Sequence, residues 1–441
     1  MIVRKNSDKP LYLQVYDFFK QEILAKRLTK DQKLPSVRQL TKTHNISKTT
    51  VESAFQQLLI EGYVKSIPKS GYYVLDIDTL PDKQSLETIV FHPSKRYPNS
   101  GQPKDSFDIK PLRIAYQNIL LESNDSLYAN PKPEGETKLR KTIREYLVGE
   151  RGIEADPSQL IIASGLQNHL LTLSMLTRKR RIAFLTPLFD RAKILLEHLG
   201  FTLLPCHSLD EIITQSPELI YISPSNIYPS GDVLSIRDRI TLIDYAKNND
   251  AYIIEDDYNY IFRYNAYQIP SIQGLASGER VIYIGSLARN LVLSIRISYM
   301  ILPLSLLKSY AKSDKLAQTV STIDQLAVAD YMTQPDFKKH LKKLSRYSKK
   351  QNEAMNQAIE QISEPSIDTS GLDSNLHILI KTTKAIANRL QNNAKKHGYT
   401  MKSFKDDQRL LLPYSGLSTS AIHVMIHTIF SDYLKEDSYV K

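Results

Sequence analysis

The chain has 441 residues, 58 Lys and Arg against 47 Asp and Glu for a net charge of +11, one Cys, no Trp and 26 Tyr. That length fills two to three domains and buries a sizeable core. A lone Cys206 excludes a disulfide framework and the spacing of a zinc site, so no metal is expected. No stretch approaches the roughly 20 apolar residues of a membrane span, and the opening MIVRKNSDKP has no apolar signal-peptide core. A cytoplasmic protein without a membrane partner is therefore expected.

The charge is concentrated at the front. Residues 1–75 hold 13 Lys and Arg against 6 Asp and Glu, a balance that points to nucleic acid. Leu11, Val15, Phe18, Phe19 and Ile23 fall at helical spacing. Ser36, with Gln39 three residues on, fits a capping box for a short second helix that buries Val37 and Leu40. After a turn at His44-Asn45-Ile46, Ser47 caps a third helix with the apolar stripe Val51, Ala54, Phe55 and Leu58. Lys48, Thr49 and Thr50 are left at its exposed N-terminal end, the end that a recognition helix inserts into the major groove of duplex DNA. Residues 62–65 and 71–74 alternate as two strands around the basic tip Pro68-Lys69-Ser70-Gly71. Three helices and such a hairpin make a winged helix-turn-helix.

Pro10-Leu11-Tyr12, Leu34-Pro35-Ser36-Val37-Arg38-Gln39-Leu40, Ile46 to Val51 and Gly62-Tyr63 resemble the DNA-binding domain of GntR-type bacterial repressors. The resemblance implies that Arg38, Lys48, Thr49 and Thr50 contact DNA and that Ser70 and Gly71 approach the minor groove. Lys stands at 48 where the family often has Arg; it reaches phosphate or guanine without Arg's planar fork.

Residues 76–108 are polar and Pro-bearing with little periodicity, and read as a linker docking locally on the larger domain. From residue 109 to 441, short apolar runs at 160–163, 182–185, 219–222, 251–254 and 281–284 alternate with helical stretches. That pattern argues an α/β domain, a mainly parallel sheet with helices on both faces. Sites in such sheets gather at the carboxyl ends of the strands. There stand Ser164-Gly165-Leu166-Gln167, a turn whose amides suit a phosphate, then Asn226 in a Ser/Pro loop, Asp256-Asp257-Tyr258, and Ser286 with Arg289 and Arg296.

In that order the motifs resemble the fold-type I aminotransferases that use pyridoxal phosphate, and more specifically the aminotransferase-like domain fused to GntR-type regulators, the MocR subfamily. Tyr128-Ala129-Asn130-Pro131 and Val281 to Ser286 belong to the same resemblance. It implies a homodimer in which Asp256 faces a pyridine nitrogen, Tyr258 faces a ring hydroxyl, Phe189 lies near the ring, and Ser286, Arg296 and the 164–167 turn hold a phosphate. Two positions depart from the family. Its Schiff-base lysine falls on Arg289, whose guanidinium has no free lone pair for an aldehyde. Its substrate-carboxylate arginine falls on Leu411, and Arg409, two residues off along a strand, is displaced by roughly 7 Å. The expected protein is a DNA-binding transcription regulator whose second domain is not an enzyme, in preference to a working transaminase with a DNA-binding appendage. Two versions remain open. In one, the pocket holds pyridoxal phosphate or another small anionic effector non-covalently; in the other it is a dimerisation scaffold in which Arg289 pairs with Asp256.

Overall fold

Amphipathic spacing and two serine caps shape the first of two units, Met1–Ser94 and Lys95–Lys441, in a computed structural model that describes residues 9–76, 97–121, 125–260, 270–313, 320–372, 376–404 and 408–434. Helices α1 (Leu11–Leu24), α2 (Val37–His44) and α3 (Lys48–Ile60) form at the expected places. Ser36 Oγ accepts from the amide of Gln39 and Ser47 Oγ from that of Thr50, each at 3.1 Å, satisfying amides that a helix start leaves orphaned. Asn45 ends α2 in the left-handed region at φ 50°, a conformation Asn tolerates. The wing pairs β1 (Val64–Ile67) with β2 (Gly71–Val74) antiparallel, so its first strand starts two residues later than the alternation suggests, beyond Gly62 at φ 76°. Residues 31–34, between α1 and α2, extend the wing: the Asp31 amide donates to Val74 O at 2.9 Å and that of Leu34 to Tyr72 O at 2.8 Å. The core is centred on Phe55, packed edge-on against Phe19 at 5.5 Å and Tyr72 at 5.0 Å.

The second unit begins earlier than composition implies. Residues 97–108, assigned to a linker by their polar character, pack into it. The Asn99 side chain is fully buried, donating to Thr400 O at 2.8 Å and Pro413 O at 3.0 Å and accepting from the Thr400 amide. Phe107 is buried against Tyr331 and His340. At Asn99 and Ser106 the polarity reflects internal hydrogen bonding rather than solvation.

Then come α4 (Ile109–Leu121), α5 (Thr137–Arg151), β3 (Leu160–Ala163), α6 (Leu166–Leu176), β4 (Arg181–Leu185), α7 (Asp190–His198), β5 (Thr202–Cys206), α8 (Leu209–Thr214), β6 (Leu219–Ile222), α9 (Ile236–Asn248), β7 (Tyr252–Asp256), α10 (Ile272–Leu275), β8 (Val281–Ser286) and β9 (Ser298–Ile301). The seven strands form one sheet in the order β3-β9-β8-β7-β6-β4-β5, in which β9 alone runs against the others. Successive residues face opposite cores: Ile282 and Ile284 pack with α6, α7 and α11 (Leu304–Ser313), while Tyr283 packs with α4, α5 and α12 (Thr322–Thr333). Burial on both faces is why the runs are continuously apolar.

The long α13 (Pro335–Ile359) leads into a C-terminal lobe. Strands β10 (Asp368–Ser370) and β11 (His377–Lys381), helix α14 (Lys384–Lys396), strands β12 (Lys402–Ser403) and β13 (Arg409–Pro413) and helix α15 (Thr419–Ile429) complete it. Its antiparallel sheet, ordered β10-β11-β13-β12, closes a separate core against α13, α14 and α15.

Candidate DNA interface and effector cavity

In the first unit, Arg38, Lys48 and Thr49 are exposed and Thr50 and Ser70 are half-buried. Packing of Val51, Ala54, Phe55 and Leu58 inward turns the start of α3 outward. Among the described residues Lys48 pairs with Glu52, at 3.4 Å across one helical turn, an exposed pair weak enough to yield to phosphate. Arg38 has no ion-pair partner among the described residues. At the wing, Ser70 Oγ hydrogen-bonds Tyr73 OH at 2.6 Å, and Lys69, at φ 61°, is exposed.

In the second unit a cavity of about 590 Å³ lies at the carboxyl ends of β4, β6, β7 and β8. Its wall contains Gly165, Leu166, Gln167, Asp256, Tyr258, Ser286, Arg289 and Arg296 together with Phe189 and Leu411, whereas Ser164 and Asn226 do not line it. Gly165 adopts φ 84°, ψ 168°, and a Cβ there would stand 2.7 Å from Nη2 of Arg296. The Gly165 amide donates to Ser298 Oγ at 2.8 Å, and Ser298 in turn donates to Ala163 O. With that hydroxyl proton committed, His169 is the donor in its 2.9 Å bond to Ser298 Oγ, which leaves its proton on Nε2. Burial lowers the His169 pKa to about 3, so the ring is neutral. The turn is thus pinned from behind, with the first-turn amides of α6 and the exposed Arg296 guanidinium beside it.

Opposite stands Asp256, 8% exposed. Burial pushes its carboxyl up to about 7, and the hydroxyl of Tyr221, which donates to it, opposes that rise. Burial and Asp256 likewise push the Tyr258 phenol up. Asn226, 4% exposed, has no hydrogen-bond partner for its Oδ1 among the described residues. Arg289 is half-buried and makes no ion pair with Asp256; it has no hydrogen-bond or ion-pair partner among the described residues. Burial lowers its pKa while Tyr258 opposes the shift.

Several lining residues have no local signature in the sequence. Lys402 on β12 reaches across to α7, pairing with Asp190 at 2.6 Å and donating to Tyr228 OH at 3.3 Å. His377 on β11 donates from Nε2 to Pro229 O over 2.9 Å, and burial lowers its pKa to about 4. These contacts join segments 148 to 212 residues apart, beyond any local motif. Arg409 is outside the wall; its guanidinium lies 5.4 Å from the Phe404 ring.

Residues 11–74 match the gntR family of bacterial regulatory proteins, and residues 99–408 match aminotransferase class I and II. The HTH-type transcriptional regulator YhdI of Bacillus subtilis is 33% identical, with 96% of each chain covered. The probable rhizopine catabolism regulatory protein MocR of Rhizobium meliloti is 27% identical over 99% of this chain and 97% of its own. Among solved structures, the α-aminoadipate aminotransferase LysN of Thermus thermophilus, complexed with N-(5′-phosphopyridoxyl)-L-leucine, aligns with a TM-score of 0.67 at 19% identity, covering 75% of this chain and 90% of that one. That last likeness is one of fold. With a gntR winged helix ahead of an aminotransferase-type unit, and regulators matching it from end to end, the chain belongs to the GntR family of transcriptional regulators, in its MocR subfamily.

Proposed function

We propose that this regulator reads an operator in duplex DNA as a homodimer, and that its second unit is a receptor for a small anionic effector rather than a transaminase. The observation that carries the reading is Arg289. A guanidinium occupies the place of an imine-forming amine, while the phosphate-type turn, Arg296, Asp256 and Tyr258 still converge on one cavity. The residues suit pyridoxal phosphate held without a covalent bond. The 165–167 turn and Arg296 would take the phosphate, Asp256 the ring nitrogen and Tyr258 the ring hydroxyl. In transaminases that group supplies an electron sink to a covalently bound amino acid; here the chain's residues bind and orient it. Lys402 is the one lysine among the described lining residues. Burial opposes its charge, but Asp190 and Tyr228 hold its ammonium above the usual pKa, which withholds a nucleophilic lone pair.

The apolar residues left exposed on and after α4, among them Ile109, Leu120, Leu121 and Tyr128, support association through the second unit. Effector binding would act by favouring one arrangement of the paired DNA-binding units.

The test uses the full chain, a duplex selected from random sequence by the protein itself, and pyridoxal 5′-phosphate. Borohydride treatment followed by peptide mass spectrometry is expected to recover no adduct, while operator affinity shifts on adding the ligand. An adduct at any cavity residue, or keto-acid release from an amino donor, overturns the reading.

A further inference from the structure

Arg289 is more than a vacated lysine position. It places in the cavity wall a partly desolvated guanidinium that has no partner among the described residues, an arrangement that is costly unless an anion completes it. The other cations nearby are accounted for differently. Lys402 is neutralised by Asp190 at 2.6 Å, and Arg296 stands at the phosphate-type turn. The family's own carboxylate position is Leu411, 8% exposed, which offers an acid nothing.

Arg289 also borders a second, smaller cavity of about 30 Å³, shared with Gly101, Gln102, Ser106, Tyr347 and Gln351. Its lining mixes apolar side chains such as Leu293 and Leu344 with polar ones, and the Tyr347 hydroxyl is buried without a hydrogen-bond partner among the described residues. Residues 101–106 lie near the N-terminal boundary of this unit, which begins at Lys95. Resting on the effector reading above, we propose that Arg289 is a carboxylate-recognition residue. The cavity then selects an organic phosphate that also carries a carboxylate over the same phosphate without one, and the second acidic group is sensed beside residues 101–106. Planar bidentate pairing is what Arg offers that the family's lysine does not.

Two probes share ring, phosphate, secondary amine and alkyl chain and differ in the acid: N-(5′-phosphopyridoxyl)-L-leucine and its decarboxy counterpart, N-(5′-phosphopyridoxyl)-3-methylbutylamine. Calorimetric titration of the full chain is expected to show the first binding about tenfold or more tighter, as a charge-assisted pair allows. Arg289→Gln should bring the two within about twofold by removing that pair, leaving binding of the decarboxy probe in place. Operator binding and thermal unfolding of the variant report whether it folds, and the wild-type comparison stands without it. Equal binding of both probes to the wild type overturns the inference and leaves an anionic effector standing. Binding of neither overturns the pyridoxal-type effector reading as well. A carboxylate preference that survives in Arg289→Gln moves the recognition to another residue and refutes the assignment.

Discussion

Gly165→Ala separates the backbone's contribution to the cavity from that of the side chains. At φ 84°, ψ 168° the residue occupies a region essentially reserved for glycine, where a side chain costs about 1–3 kcal/mol. The new methyl would stand 2.7 Å from Arg296 Nη2 and 3.4 Å from Gln167 Oε1. Both are ends of flexible side chains, so they swing aside at little further cost to stability. A unit of about 350 residues unfolds with roughly 2.1 cal/mol/K per residue, so the melting temperature should fall by only ~1–4 °C. Displacing Arg296 removes charge-assisted bonds of about 1.5–3 kcal/mol, or roughly 10- to 150-fold in anion affinity. Scanning calorimetry and titration with pyridoxamine 5′-phosphate measure the two quantities. Arg296→Ala, at an exposed position, should reproduce the affinity loss without the melting shift. Unchanged affinity in both variants would refute the assignment of this turn and its arginine to the phosphate.

Other expectations concern both units. Lys48→Ala and Arg38→Ala should each weaken operator binding about tenfold and lower the salt slope of the affinity by about 0.9 per lost phosphate contact; anisotropy titrations across salt concentration show it, and an unchanged slope would take these side chains off the backbone. Phe55→Ala removes the residue shared by Phe19 and Tyr72 and should cost about 3–5 kcal/mol, abolishing operator binding while the calorimetric transition of the second unit stays put. Asp256, pushed to about 7 by burial, binds its proton more tightly folded than unfolded. Its stabilising effect is complete below an unfolded pKa near ~3.9 and is lost as pH rises to about 7. Urea unfolding of Asp256→Asn should therefore follow a flatter pH profile across that window than the wild type, and parallel profiles would count against burial as the cause.

The parallel strands were legible because both faces are buried, which makes them unbroken apolar runs. Strand β5, paired with β4 alone, carries Pro205 and exposed Thr202 and blends into its surroundings. Strand β9 comes so soon after the motif ending at Arg296 that no breaker announces it. The winged helix was legible in nearly full detail because its caps, stripe and turn are all local. In the cavity, motif residues at strand ends could be named from sequence. Lys402, His377 and Tyr228 could not, since they converge only when the C-terminal lobe closes on the main sheet, nor could Tyr221, which meets Asp256 only through the pairing of β6 with β7. Whether Arg289 pairs with Asp256 depends on side-chain directions across the cavity, which spacing along the chain does not encode; in the structure the two do not pair.

The burial of Asn99 fixes where this chain can be severed. A fragment cut at residue 109, where composition changes, would leave the Thr400 amide and the carbonyls of Thr400 and Pro413 without their partner. It would also open the wall where Gly416 lies so close to Pro98 O that a Cβ on it would collide with that oxygen. Such a piece would expose the seam between the C-terminal lobe and the main sheet and invite association through unpaired backbone. A fragment that retains residues from Lys95 onward keeps the seam shut.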